Sequence, residues 1–175
     1  VQGPRAMSAA EARALLRRAR SAALATALAD DGGGSGWPYA SLVTIACDAD
    51  ASPILLLSDL SDHTRNLAGD DRASLLIEAA SGRANPQTGP RVSLIGRIAK
   101  TTEERYRRRF LARHPSAGLY AGFADFNVYR MSVERVHFVG GFGRAAWLPV
   151  ADVLLDPSVA ESVAAAAEPA LLAEW

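Results

Sequence analysis

An apolar run from Ile54 to Leu57 ends in Ser58, Asp59, Leu60, Ser61, Asp62, His63, Thr64, Arg65 and Asn66. The order reads as a buried strand that delivers hydroxyls, an imidazole and a guanidinium to the first turn of a short helix. The first N–H groups of a helix lack internal partners and carry the positive end of its dipole, so such a junction suits a phosphate or another anion. His63 would meet the anion as an imidazolium or as a neutral donor. Without a ligand it is an exposed residue at a helix start. Asn66 would either contact the ligand or cap the helix.

Other reactive residue types are scattered. Ser41 lies in a strand with Leu42 and Val43, where its hydroxyl is half-buried or lines a pocket. Arg91 follows Pro90 at a strand start and either holds an anion or is solvated. His137, between Val136 and Phe138, reads as a packed histidine with one hydrogen bond, the alternative being a metal or haem ligand. His63, His114 and His137 are far apart and show no metal-ligand spacing. No Ser sits in a Gly-flanked elbow, so no Ser-His-Asp triad is expected. No residue is singled out as a catalytic acid or base. Gly140, Gly141 and Gly143, around Phe142, either let the backbone approach a flat ligand or form a turn or bulge. The glycines after Asp30 and Asp31 lack a following Gly-Lys-Ser/Thr and read as a hairpin turn, not a phosphate loop.

Composition narrows the function classes. The 19 basic and 19 acidic side chains cancel, which argues against a general nucleic-acid binder. Only Lys100 among the basic residues is a lysine. Hydrophobic residues make up 49% of the 175, enough for a core in one domain. The single cysteine, Cys47, excludes an internal disulfide and a Cys-based metal cluster. Its apolar setting suggests a small buried residue and not a reactive thiol. No apolar run approaches a membrane span, and the N-terminus has no signal-peptide apolar core. The expected compartment is the cytoplasm.

The elements that must position these residues follow from pattern. Ser8 and Glu11 have capping-box spacing, which predicts a helix through Ala12 to Arg20. Strands are expected from Ala22 to Ala29, Tyr39 to Cys47, Pro53 to Ser58, Ala73 to Glu78, Arg91 to Lys100, Phe126 to Met131 and Arg135 to Gly140. Arg144 to Leu148 is a candidate for one more. Helices are expected from His63 to Ala68, from a Thr cap near Thr101 to Arg113, and over Ser116 to Gly122. Many short strands with few helices between them point to a β-barrel or sandwich. After Pro149 the composition shifts to Ala, Glu and Leu. This predicts one domain over 1–149 and a helical tail over 150–175, interrupted by Pro169.

The ordered set Leu57 to Leu67, Arg72 to Ile77, Arg91 to Arg97, Arg109 to Pro115, Asp125 to Met131 and Gly140 to Arg144 resembles the FMN-binding split-barrel family. This is the pyridoxamine 5′-phosphate oxidase-like superfamily; within it the haem-utilisation (HugZ-type) proteins look most alike. The resemblance implies a mainly β fold with flanking helices: a six-stranded antiparallel split β-barrel, homodimeric, with cofactor sites at the subunit interface. By resemblance, the strand holding Ser41, Leu42 and Val43 touches the flavin ring, and Ser58 and Leu60 lie along the ribityl chain and ring. His63 falls where oxidase members place a phosphate-binding Lys, with Asn66 one turn on. Arg91 falls where they use a Gln, and would come from the other subunit. His63 offers a weaker, pH-dependent charge than Lys. The oxidases' Arg-x-His substrate motif has no counterpart, and Val139 stands where they have a Trp, so pyridoxamine phosphate oxidation is not expected. Haem-binding relatives use a His in a C-terminal tail; none follows His137 here.

The leading expectation is a dimeric FMN-binding flavoprotein of oxidoreductase type, in which the flavin does the electron chemistry. The second is a haem-binding or haem-degrading protein of iron utilisation, with His137 or His63 as nitrogen ligand. The third is a non-catalytic dimeric binding module. No nucleic acid, membrane or free metal ion is expected as a partner.

Overall fold

Seven antiparallel strands carry most of the buried apolar residues. The computed structural model describes residues 4–29, 36–156, 158–160 and 162. The order is α1 (Pro4–Arg18), β1 (Ser21–Ala27), β2 (Pro38–Cys47), β3 (Pro53–Ser58), α2 (Asp62–Gly69), β4 (Arg72–Glu78), β5 (Arg91–Thr101), α3 (Glu104–Arg113), β6 (Phe126–Val139), β7 (Ala145–Leu148) and α4 (Val150–Val153). The strands are hydrogen-bonded as β3-β2-β1-β4-β5-β6-β7, and β3 also pairs with β6. Six strands therefore close into an antiparallel barrel with flanking helices, as expected. Along one edge of β6, β3 pairs from Phe126 to Arg130 and β7 from Val136 to Val139.

Side-chain alternation builds the interior. In β4, Ala73, Leu75 and Ile77 are buried while Arg72, Leu76 and Glu78 are exposed. Leu24, Leu75, Leu94, Val136 and Phe138 meet inside. Each such buried Leu, Val or Phe contributes roughly 1.5–3 kcal/mol. β3 is an unbroken apolar run because it is covered twice. Leu55 and Leu57 belong to the barrel core, whereas Ile54 and Leu56 pack with Tyr106 and Phe110 of α3.

Two expected strands prove to be one. Phe126–Val139 is continuous, with a bulge where the pairing steps from Ile95↔Arg135 to Gly96↔Val133. The extra residue, Glu134, changes which alternate positions face inward. Met131 and Val133 pack on the core before it, Val136 and Phe138 after it. His137 is thereby turned to the outer face. Gly96 permits this, because a Cβ there would overlap the Ser132 carbonyl oxygen.

The capping-box expectation is overturned as well. Helix α1 already runs from Pro4, so Ser8 and Glu11 lie within it. The Glu11 carboxylate instead accepts from Arg144 Nη2 at 2.7 Å. Helix α4 lies against the barrel, with Val153 in the core, and Leu155 N–H donates to the Asp50 carbonyl at 2.9 Å. Most of the expected turn at 30–36 and most of the expected helix at 158–174 lie outside the described residues. Among the described residues, no helix is long and apolar enough to cross a membrane.

Candidate functional site

The strand-to-helix junction forms as expected, but its polar groups are largely spent on one another. Ser58 Oγ donates to Asp125 Oδ2 at 2.6 Å and accepts from Leu60 N–H at 3.1 Å. Asn127 Nδ2 donates to both Asp59 carboxylate oxygens at 3.0 and 2.9 Å. Arg65 pairs with Asp62 at 3.1 Å. Three carboxylates, Asp59, Asp62 and Asp125, thus surround a junction with one guanidinium. His63 Nδ1 lies 3.2 Å from Ser41 Oγ. Burial pushes the His63 imidazole below its ordinary pKa, against an upward pull from Asp62. A neutral His63 amid these carboxylates is a poor electrostatic match for a dianionic phosphate.

Of the expected site residues within one chain, the structure brings Ser41 and His63 together. Leu60 is 70% exposed at the junction. Val43 turns into the barrel core. Asn66 is buried, and both ends of its amide are engaged. Nδ2 donates to Thr26 Oγ1 at 2.9 Å, and Oδ1 accepts from Ala29 N–H at 2.7 Å. Its side chain therefore ties α2 to β1 and does not cap the helix. Arg91, expected to reach the site from the other subunit, stands opposite Glu78, whereas the α2 end of its own barrel lies near Ala73, opposite Gly96. That is five residues along β4, roughly 17 Å at the usual rise. The Arg91 guanidinium donates to the carbonyls of Gln87 and Gly89 at 3.2 and 3.3 Å.

A second surface is built by strand register. Leu42 pairs with Ala23, Ala23 with Leu76, Leu76 with Ser93, Ser93 with His137, and His137 with Trp147. All six share the outer face of the sheet, because residues paired directly across neighbouring strands project to the same side. Leu42 is 80% exposed, Leu76 41% and Trp147 54%. The rings of His137 and Trp147 are 4.8 Å apart. The Arg135 guanidinium lies 4.4 Å from the centre of the Trp147 ring. Beside Trp147, a cleft of about 770 Å³ separates β7 from the start of α1.

The remaining reactive groups are structural. His114 is buried, with Nε2 2.8 Å from the Ile45 carbonyl. The Cys47 thiol donates to the Leu16 carbonyl at 3.2 Å, and burial pushes it up to about 12. The Gly-rich segment is the turn between β6 and β7, with Gly141 and Gly143 at φ 122° and 73°. Among the described residues, no cluster of His, Cys, Asp and Glu is arranged to hold a metal ion.

Residues 4–154 match the family described as CREG, beta-barrel. The chain belongs to this family. Its fold is that of the pyridoxamine 5′-phosphate oxidase-like proteins: a putative oxidase of that kind from Listeria innocua superposes with a TM-score of 0.57 at 15% identity, over 76% of this chain and 98% of that one. A heme binding protein from Mycobacterium smegmatis superposes with a TM-score of 0.77 at 33% identity, over 87% of this chain and 61% of that one. The Non-canonical heme oxygenase HOZ, chloroplastic, of Arabidopsis thaliana is 37% identical over 113 residues, 63% of this chain and 34% of that protein. The chain thus spans about a third of the length of that curated relative.

In this CREG β-barrel chain, sequence reasoning named His137 and missed the surface around it. Trp147 and Arg135 lie ten and two residues away in sequence, and only the bulge at Glu134 and the β6–β7 pairing bring the three together. The readable signal was the polar break from Ser132 to Arg135 between two apolar stretches. It marks a bulge and not a loop.

Proposed function

We propose that this protein binds haem on the outer face of its barrel and works as a homodimer, with His137 as the nitrogen ligand. The observation that carries this reading is the row Leu42, Ala23, Leu76, Ser93, His137 and Trp147, an exposed apolar band with an imidazole in it. A contiguous exposed apolar surface marks an interaction site. The residues fit haem. Trp147, exposed beside His137, offers the macrocycle an apolar face. The His137 ring nitrogens have no hydrogen-bond partner among the described residues. A second copy of the chain covering Leu42 and Leu76 would bury the rest of the band and exclude water from the bound group. The bound haem would supply the electron and oxygen chemistry of any oxidoreductase activity. The haem-related names of the relatives at 33% and 37% identity support the same reading.

FMN remains a second reading, favoured by the Ser41–His63 contact beside the first turn of α2. The carboxylates at that junction weigh against it. Titrations of the purified protein with hemin and with FMN, followed by visible absorption and flavin fluorescence, separate the two. A saturable change in the Soret band with no FMN quenching is the expected result. FMN quenching without a Soret change would reverse the conclusion.

A further inference from the structure

Among the described residues, the arginine beside the proposed haem face makes no ion pair. Arg97, the outward arginine on the neighbouring strand, is neutralised by Asp71 at 2.5 Å and Glu134 at 3.2 Å. The bulge leaves the neighbours Glu134 and Arg135 both exposed, and Arg97 takes Glu134. Among the described residues, Arg135 has neither a carboxylate nor a hydrogen-bond partner. Its guanidinium instead rests 4.4 Å from the centre of the Trp147 ring. That contact restrains the side chain and leaves its N–H donors free, since a guanidinium over an aromatic face is held without using them. Arg135 also lies two residues from His137 on the same face of β6, one strand spacing from Trp147.

We infer that Arg135 is the residue by which this site recognises a carboxylate on its ligand, so that the site selects a tetrapyrrole with free propionates over its ester. The inference rests on the haem reading above. A planar guanidinium offers a carboxylate two parallel hydrogen bonds, which an ester cannot accept as an anion. The Trp147 ring would then serve both groups, as a face for the macrocycle and as a support that aims Arg135.

The test compares hemin with hemin dimethyl ester in Soret titrations of the wild-type protein and of Arg135→Gln. Arg135 is exposed, so the variant is expected to fold, and a thermal melt checks that it does. The wild type is expected to bind the diacid about tenfold or more tightly than the diester. Arg135→Gln is expected to bring the two affinities within about twofold, mainly by weakening diacid binding. An unchanged preference in Arg135→Gln, with hemin still bound, overturns the role of Arg135 and leaves haem binding standing. Absence of binding for both compounds in the wild type overturns both.

Discussion

Asn66 and Thr26 hold the short helix after β3 to the barrel wall through a buried hydrogen bond of 2.9 Å between Asn66 Nδ2 and Thr26 Oγ1. The other end of the same amide takes the backbone N–H of Ala29. Asn66→Ala removes both bonds and leaves the buried Thr26 hydroxyl without this partner, which costs about 2 kcal/mol. Chemical denaturation should show that loss, while hemin affinity stays within about twofold of wild type. Unchanged stability with weakened ligand binding would return Asn66 to the ligand site.

Gly96 is the pivot of the outer face. The bulge opposite it turns His137 outward, and a methyl group at Gly96 would overlap the Ser132 carbonyl. Gly96→Ala is expected to destabilise the fold by about 3 kcal/mol or more. Any folded fraction should bind hemin less well, because the inward and outward positions of β6 are then no longer fixed. A thermal melt and a Soret titration check both effects, and wild-type values in both would show that the bulge is not needed.

Much of this was legible in the sequence because it is local. Pro53–Ser58 shows in the unbroken run of Ile and Leu, and β4 shows in strict alternation. The ordered motifs pointed to the split barrel, and the strand order and the family match bear that out. The misreadings were non-local. Ser8 and Glu11 have the spacing of a cap, yet helix α1 begins at Pro4. The amide bonds of Asn66 could not be read from its neighbours, because its partners, Thr26 and Ala29, are about 40 positions away. The Leu42-to-Trp147 row spans five strand pairings, and no window along the chain contains it.

His63 makes stability depend on pH. Burial lowers its pKa in the folded protein, so the unfolded chain holds the proton more tightly. Stability is then greatest above the ordinary imidazole pKa of about 6.5 and falls as pH drops below it. His63→Gln removes that dependence. The decrease in thermal midpoint from pH 7.5 to pH 5, as measured in parallel melts, should be smaller for His63→Gln than for wild type. Equal decreases would mean that His63 titrates as a solvated residue.

The most direct test of haem binding at the outer face is hemin titration of the wild type beside His137→Ala, read in the Soret region. The wild type should give a shifted, saturable Soret band. His137→Ala should alter the band position and weaken binding about tenfold or more, as expected on losing the nitrogen ligand. A variant that binds hemin with the same affinity and the same spectrum would contradict the assignment of His137, and with it the placement of haem on this face.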